Sequence, residues 1–239
     1  MNSEDESTFQ FSVAYQPIVD IETCSVFGYE ALARGCANES AATVFAAIPK
    51  DQLHRFDRAA RLRAIELAAA LGLDARLSLN FLPRSLDSLP DAISSTIEAA
   101  RIAKIPVQNI LLEITEAEMI HNAAGFSEKM NSYRAQGLKF AIDDFGAGYS
   151  GLNLLAEFQP DSVKLDMQLV RDIESKGPRQ AIVRAVIRAC EDLGIDVIAE
   201  GIENDAEYRW FKRNGITLFQ GYLFGRPAFE ALTAPLFPD

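Results

Sequence analysis

Two adjacent carboxylates follow an apolar run near the middle of the chain, in the segment KFAIDDFGAGYS at positions 139–150. Successive side chains of a strand point to opposite faces, so Asp143 and Asp144 share one site only where the strand stops and the chain turns. Gly146 and Gly148 favour such a turn, because glycine adopts backbone angles closed to other residues. Two carboxylates held close together repel unless a proton or a divalent cation lies between them. The segment therefore predicts either a cation site or an Asp-rich surface turn.

Other polar residues occupy the C-terminal ends of further apolar runs. They are Glu30 and Arg34, Asn80, Glu113 and Glu116, Lys164 and Asp166, Glu200 and Glu203, and Gln220. Buried charges are costly unless they are paired or bind a metal, so we expect most of these groups to share one site. Two of them have another explanation: Asp166 can bond neighbouring backbone, and Glu203 can adjoin the cap of a helix that starts near Asn204.

The expected donor set consists of oxygen atoms, without sulfur or imidazole: Glu30, Asn80, Glu113, Asp143, Asp144 and Glu200. Such donors suit Mg²⁺ or Mn²⁺ better than structural zinc. Because five carboxylates and an amide exceed what one Mg²⁺ usually takes from protein, we predict two cations that share a bridging aspartate. A cation pair of this kind activates a water and stabilises an in-line displacement at phosphorus. Lys164 can then hold that water or neutralise a phosphate oxygen, and Arg34 can grip a phosphate.

Eight short apolar runs predict the strands that carry these residues. They span 11–20, 25–34, 77–81, 110–115, 138–143, 162–166, 196–200 and 216–220. Helical patterns separate the last six, which is typical of a parallel sheet, whereas four residues between the first two require an antiparallel pair. We therefore predict an α/β fold, a modified TIM-type (β/α)₈ barrel with an antiparallel first strand. An open doubly wound sheet is the alternative, although the Gly-rich phosphate loop that it usually carries is not visible.

Composition limits the domain count and the classes of partner. The chain has 239 residues, 49% of them hydrophobic, with a net charge of −11. We expect a short tail at 1–10 and a single barrel domain at 11–239. The negative charge argues against DNA, RNA or an anionic membrane as partner. Three scattered cysteines, no signal peptide and no apolar run near the roughly 20 residues of a membrane span predict a cytoplasmic protein.

Seven ordered motifs resemble the EAL domains, phosphodiesterases that open cyclic di-GMP. Glu30-Ala31-Leu32 is the tripeptide that names the family, and the others are LSLNFLP, LLEITE, IDDFGAGYSGL, VKLD, VIAEGIE and FQGYLFGRP. The resemblance runs from position 15 to position 227. It implies a cyclic di-GMP-specific phosphodiesterase that yields linear 5′-pGpG and uses two divalent cations, Mg²⁺ or Mn²⁺.

The resemblance also implies a role for each matching residue. Glu30, Asn80, Glu113 and Asp143 are the implied ligands of one cation, and Asp143 bridges to a second cation that Asp144 serves. Glu200 handles the attacking water, as general base or through the second cation. Lys164 and Gln220 are partners of water or substrate phosphate, and Gln16 and Arg34 are substrate contacts. Glu116 braces the loop after the fifth strand, and Glu203 is a second, supporting acid.

That loop, DDFGAGYSGL, departs from the commoner DDFGTGYSSL at Ala147 and Gly151. The missing hydroxyl predicts a weaker hold of Glu116 on the loop, and hence reduced regulation or a modest effect on rate. No implied ligand is lost. A non-catalytic cyclic di-GMP receptor or protein-interaction module, which is the alternative function, would more often have a broken ligand set. A metal-assisted enolising barrel has only Lys164 in its favour.

The expected partners follow from the same resemblance. They are the cyclic di-GMP substrate, a second copy of the chain, and a sensor or GGDEF domain. A homodimer would use the helices after the fifth and sixth strands, where GLNLLAEF places apolar residues at helical spacing. Because the sequence begins so close to the barrel, we expect either a stand-alone enzyme or a piece of a longer protein.

Overall fold

The computed structural model describes residues 9–89, 91–148 and 151–238, and this part of the chain forms nine strands and nine α-helices. The strands are β1 (Ser12–Asp20), β2 (Ser25–Arg34), β3 (Arg76–Asn80), β4 (Ile110–Thr115), β5 (Lys139–Phe145), β6 (Ser162–Leu165), β7 (Asp196–Ala199), β8 (Leu218–Gln220) and β9 (Ala228–Phe229). The helices are α1 (Ala41–Ala47), α2 (Leu53–Ala70), α3 (Ser85–Ser88), α4 (Ser94–Ile102), α5 (Glu116–Arg134), α6 (Gly151–Phe158), α7 (Met167–Val170), α8 (Gly177–Leu193) and α9 (Asp205–Arg213). Short 3₁₀ turns span Lys50–Gln52, Val107–Asn109 and Ile173–Ser175.

Strands β1 to β8 close into a barrel. Strands β2 to β8 are parallel neighbours in chain order, and β1 lies antiparallel between β8 and β2. The predicted TIM-type barrel with an antiparallel first strand is therefore confirmed, and the open-sheet alternative is wrong. Strand β9, which the sequence did not predict, adds two residues to the edge of β1.

Alternation along each strand divides the side chains between the barrel interior and the helical layer. On β4, Ile110, Leu112 and Ile114 are fully buried in the large core. Glu113 alternates with them and therefore points into the barrel. A separate small cluster of Ile18, Ile198 and Leu218, with Phe27 packed against it, fills the middle of the interior. The interior thus has an apolar centre and polar groups at its two ends.

The helices begin and end at residues that satisfy their free backbone groups. The Asn204 side chain accepts a hydrogen bond from Glu207 N at the start of α9, and Gly194 ends α8 with a left-handed φ of 69°. Across the described ranges, none of these helices combines the length and the hydropathy that crossing a membrane requires. These caps therefore help to hold the connections at both ends of β7 in place.

Candidate active site

A single buried lysine lies among four carboxylates at the C-terminal end of the barrel. Lys164, on β6, is 1% exposed. Its Nζ lies 2.6 Å from Glu200 Oε1, 3.0 Å from Glu113 Oε2, 3.2 Å from Asp143 Oδ1 and 3.3 Å from Glu30 Oε2. One ammonium group faces four acids, so ionised carboxylates there outnumber the positive charge.

Strand register brings these side chains to one level. Gln16 on β1 pairs with Glu30 on β2, and Asn80 on β3 pairs with Glu113 on β4. Asp143 lies two residues after the β5 partner of Glu113, which is Ala141. Because the barrel shear staggers neighbouring strands, the inward-pointing ends converge around Lys164.

Asp143 and Asp144 reach the same site through an irregularity inside β5. Asp144 has a left-handed φ of 52°, and the pairing of β5 with β6 shifts register between Ile142 and Phe145. The strand continues through Phe145, and the predicted turn follows at Gly146, which has a positive φ of 97°, while Ala147 N donates to Asp144 O at 3.1 Å. The left-handed Asp144 is an additional bend that the sequence did not predict. Oxygen atoms of Asp143, Asp144 and Glu200 consequently lie within 4.8 Å of one another.

Burial raises the pKa of several of these acids. It raises the pKa of Glu113 to about 8, although Lys164 opposes the shift, and it holds the pKa of Glu200 well above the usual range. The half-buried Asp144 has a pKa raised to about 6, first by burial and then by Asp143. For Lys164, burial lowers the pKa, but the surrounding carboxylates outweigh it and hold the value above normal. Without further positive charge, part of the set must therefore stay protonated.

Unpaired oxygen atoms show that the set fits a cation. Within the described residues, the buried Glu113 Oε1 and Asp143 Oδ1 accept no hydrogen bond, although Asp143 Oδ1 is in ion-pair range of Lys164. An orphaned buried carboxylate oxygen is costly in a protein and is a common feature of a cation site. Carboxylate oxygens are hard donors that suit Mg²⁺ or Mn²⁺. The positive charge of such a cation would offset the repulsion between the converging acids.

The opening beside this set, here called the upper cavity, has a volume of about 280 Å³. Gln220 Nε2 donates to Glu30 Oε2 at 2.6 Å and lies 3.3 Å from Gln16 Oε1, while Gln16 Nε2 donates to Gly225 O at 3.0 Å. This chain of amides fixes the Glu30 carboxylate. Met167 and Tyr222, which sequence reasoning missed, line the same cavity and are both about half exposed.

Five predicted residues do not line the upper cavity: Arg34, Asn80, Glu113, Glu116 and Asp166. Asn80 lines a neighbouring, mostly apolar cavity of about 260 Å³ together with Glu113 and Thr115. The Arg34 guanidinium donates to the carbonyl of the preceding Ala33 at 2.8 Å. Strand pairing places Asn80 beside Glu113, whereas Arg34 pairs with Ser12 at the end of β2.

Glu116 lies under the loop that follows β5. Its Oε2 accepts hydrogen bonds from Gly146 N at 2.8 Å and Gly148 N at 3.2 Å. These contacts go to backbone groups, so they require no hydroxyl at Ala147. A Cβ at position 148 would lie 2.7 Å from Glu116 Oε1, so a larger residue there would displace the Glu116 carboxylate. Glu116 Oε1 itself has no hydrogen-bond partner in the described part of the chain.

Hydrogen bonds and an ion pair connect the loops after β6 and β7. Some of the residues involved were predicted site residues and others were not. Asp166 caps α7 by accepting a hydrogen bond from Gln168 N at 2.8 Å, which matches the backbone-bonding alternative. Glu203 lines the upper cavity and pairs with Arg171 at 2.7 Å. The fully buried Glu207, which sequence reasoning missed, accepts from Asp172 N and Glu203 N, both at 3.2 Å. The spacing of Asn204 and Glu207 resembles a capping box, a signal that could have identified it.

Comparisons with known proteins agree with this geometry. The EAL domain family model matches residues 4–227. The blue light- and temperature-regulated antirepressor BluF of Escherichia coli (strain K12) is 34% identical over 227 residues, which cover 95% of this chain and 56% of BluF. The cyclic di-GMP phosphodiesterase RocR of Pseudomonas aeruginosa is 34% identical over 164 residues, or 68% of this chain and 41% of RocR. The chain thus spans about half the length of these curated relatives.

The solved structures that resemble this chain include EAL proteins. A standalone EAL protein from Vibrio cholerae O395, in a form bound to cyclic di-GMP, superposes with a TM-score of 0.90 at 44% identity and covers 96% of this chain and 97% of its own. Klebsiella pneumoniae BlrP1, in a complex with manganese and cyclic di-GMP, gives a TM-score of 0.89 at 43% identity, covering 93% of this chain and 57% of BlrP1. With a barrel of this topology and a family match along nearly its whole length, the chain belongs to the EAL domain family.

Proposed function

We propose that the chain hydrolyses one phosphodiester bond of cyclic di-GMP to give linear 5′-pGpG, in a reaction that depends on divalent cations. The observation that carries this proposal is the convergence of four carboxylates on Lys164 with unpaired buried oxygens among them. Relatives named as cyclic di-GMP phosphodiesterases, and solved EAL structures that contain manganese or calcium with cyclic di-GMP, support it.

Two cations, Mg²⁺ or Mn²⁺, would be held by the residues of the predicted set. One cation would bind Glu30, Asn80, Glu113 and Asp143, and the other would bind Asp143, Asp144 and Glu200. Cations bound there supply charge stabilisation to phosphate oxygens and lower the pKa of a bound water. The carboxylates Asp143, Asp144 and Glu200, whose oxygens lie within 4.8 Å of one another, are the best-formed part of the set.

The chain's own residues would orient the substrate and move protons. Water attacks phosphorus in line with the 3′ oxygen, the new P–O bond forms, the bond to the 3′ oxygen breaks, and that oxygen takes up a proton. With cations bound, Glu200 would be ionised, and it would either accept the proton of the water as general base or act on the water through the second cation. Lys164, 2.6 Å away, would hold the water or neutralise a phosphate oxygen.

Other residues would bind the substrate or support the loops that carry the catalytic residues. Gln16 and Gln220 fix Glu30 and line the upper cavity, where they can donate hydrogen bonds to a phosphate. Arg34 would bind a phosphate with the guanidinium N–H groups that its bond to Ala33 O does not use. Glu203 would stabilise the loop that carries Glu200 through its pair with Arg171. Glu116 would hold the β5 loop through Gly146 and Gly148.

The experiment is turnover of cyclic di-GMP by the purified chain with Mg²⁺ or Mn²⁺, followed by chromatography of pGpG. Glu30→Ala and Asp144→Asn are the test variants, and Glu98→Gln, on the exposed face of α4, is the matched control. We expect pGpG from the parent and the control, and none from the test variants or after chelation. Intact cyclic di-GMP with both metals would overturn the enzymatic proposal.

Similarity to BluF over 95% of the chain favours one alternative, a regulatory module that binds cyclic di-GMP or a protein without turnover. In that case cyclic di-GMP would bind and stay intact. The same incubation, paired with an equilibrium binding measurement, separates the two functions.

We also propose a homodimer through α6 and α7. Leu154 and Leu155 of α6 are buried within the domain, whereas Leu152 is 62% exposed. Light scattering of the parent and of Leu152→Asp would test it: we expect a dimer that dissociates in the variant, and a monomeric parent would contradict the proposal.

A further inference from the structure

A second cavity opens at the opposite end of the barrel, where the parallel strands begin. This lower cavity has a volume of about 320 Å³, at the small end of the roughly 300–1,000 Å³ that small-molecule sites occupy. On β7 and β8, the apolar residues Ile198 and Leu218 lie between it and the carboxylates of the upper end. The lower cavity is therefore a separate feature of the barrel and does not belong to the site already described.

A buried hydroxyl without a partner points into the lower cavity. Ser162, at the start of β6, is 2% exposed, lines the cavity, and its Oγ has no hydrogen-bond partner in the described part of the chain. It precedes Lys164 by two residues, so strand alternation directs it to the same, barrel-facing side. Buried hydroxyls are normally hydrogen-bonded, so this one calls for a ligand atom.

Opposite charges face each other across the same cavity. Arg76 lies on β3 and Asp196 on β7, which are four places apart in the ring of eight strands and hence on opposite walls. Among the described residues, neither forms an ion pair or a side-chain hydrogen bond; Arg76 instead lies 4.1 Å over the ring of Phe27. Lys139 and Asp161, which also line the cavity, satisfy each other at 2.6 Å.

This balance of charge selects the class of ligand. A simple anion would meet Asp161 and Asp196, and a simple cation would meet Arg76 and Lys139, so neither is favoured. A molecule that carries both charges at once is complementary to the two walls. The ring of Phe27 and the side chain of Leu111 add an apolar surface between them.

We propose that the lower cavity binds a small zwitterion of the α-amino acid class. The ligand carboxylate would accept hydrogen bonds from Arg76. Its ammonium group would face Asp196 and donate to the Oγ of Ser162, which is the register partner of Asp196 on the neighbouring strand. Its apolar side chain would pack on Phe27 and Leu111. Burial raises the pKa of Asp196 more than the nearby charges of Arg76 and Lys139 lower it, and neither cation forms an ion pair with this acid in the described part of the chain. This proposal does not depend on the phosphodiesterase function.

Isothermal titration calorimetry of the full chain with L-leucine, L-methionine and L-phenylalanine, each in the millimolar range, tests the proposal. We expect at least one to bind, and its N-acetyl and methyl ester derivatives, which lack one charge each, to bind about tenfold more weakly or not at all. Arg76→Gln and Asp196→Asn should each weaken binding by about tenfold, and Ser162→Ala by a few-fold. Asp74→Asn and Arg101→Gln, outside the cavity, are the matched controls.

Amide chemical shifts locate the bound molecule, and far-ultraviolet circular dichroism establishes that each variant is folded. Shifts near Gly28, Ser162 and Ile195 that persist after chelation of divalent cations would support the lower cavity. The proposal is overturned if none of the three amino acids binds, if binding survives in both charge variants, or if the shifts fall around Glu30 and Glu200.

Discussion

The two ends of the barrel interior solve the problem of buried charge differently. At the upper end, four carboxylates converge on Lys164; Glu113 and Glu200 have raised pKa values, and Glu113 and Asp143 each have an oxygen without a hydrogen-bond partner in the described part of the chain. At the lower end, Lys139 and Asp161 pair directly, and Arg76 and Asp196 balance in number. A cluster with more acids than bases is stabilised by an added cation or by protons. A cluster with equal numbers of acids and bases can be stable alone or with a bound zwitterion. The comparison shows that two polar regions of one barrel can differ in function because they differ in the ratio of acidic to basic side chains.

Replacing the upper lysine should have the largest effect. Lys164→Met leaves four buried carboxylates without their counter-charge, so we expect loss of pGpG formation and a fall of about 3–5 kcal/mol in the free energy of unfolding. Urea unfolding with and without Mg²⁺ measures this change. Added Mg²⁺ should recover part of the stability. A variant as stable as the parent in the absence of metal would show that the carboxylates do not need Lys164.

The upper end should also make stability depend on pH. Glu113 has an ordinary pKa of 4.5 and a folded-state value of about 8, so between these values the folded protein holds a proton that the unfolded chain has released. The free energy of unfolding of the chelated protein should therefore fall as pH rises through this window, by about 1.4 kcal/mol per pH unit for one such group. Saturating Mg²⁺, which favours the ionised acids, should flatten the slope. An identical slope with and without Mg²⁺ would contradict the upper end as a cation site.

A pair of glycine substitutions compares the backbone at the two ends. A Cβ at Gly221 would lie 2.1 Å from Ile202 O and 2.4 Å from Ile202 N, so Gly221→Ala should destabilise by about 1–3 kcal/mol and displace the adjacent Gln220. At Gly194, beside the lower cavity, a Cβ meets no atom within 4 Å, and only the left-handed φ of 69° opposes alanine, at a cost of about 1 kcal/mol. Thermal unfolding and pGpG rates measure both. Equal losses of activity in the two variants would contradict the assignment of Gln220 to the site.

The smallest effect is expected from the lower ion pair. Lys139 and Asp161 are both partly exposed, so Lys139→Met should cost no more than about 1 kcal/mol and leave the pGpG rate within about twofold of the parent. Urea unfolding and the turnover assay measure these quantities, with Lys164→Met as the contrasting variant. A loss similar to that of Lys164→Met would mean that the two ends are not distinct in their electrostatics.

Much of the upper end could be predicted from sequence, because strand periodicity and the end-of-strand positions of Glu30, Glu113, Asp143, Lys164 and Glu200 are local features. Parallel strands bring their C-terminal ends together whatever the details of packing. The predicted turn at Gly146 is also present. The left-handed conformation of Asp144 inside β5 could not be predicted, because a non-glycine residue takes this conformation only where the surrounding structure holds it there.

Features that depend on tertiary packing could not be predicted either, because the sequence shows only local patterns. Met167 and Tyr222 look like ordinary apolar residues until the chain folds, and only then line the upper cavity. Glu207 reads as an exposed helix residue, yet it is fully buried between two loops. The lower cavity depends on residues from β2 to β7, and no local pattern indicates that Arg76 and Asp196 lie on facing walls.

The reversed direction of β1 determines where a tether on the N-terminal side would act. Ser12 pairs with Arg34, so the chain enters β1 at the same end of the barrel as the carboxylates. In an all-parallel barrel that entry point would lie at the far end. A sensor joined ahead of Ser12 would therefore be attached to the strand that carries Gln16, four residues further along. A movement at that junction would reach Gln16, Gln220 and Glu30 directly, without passing through the rest of the domain.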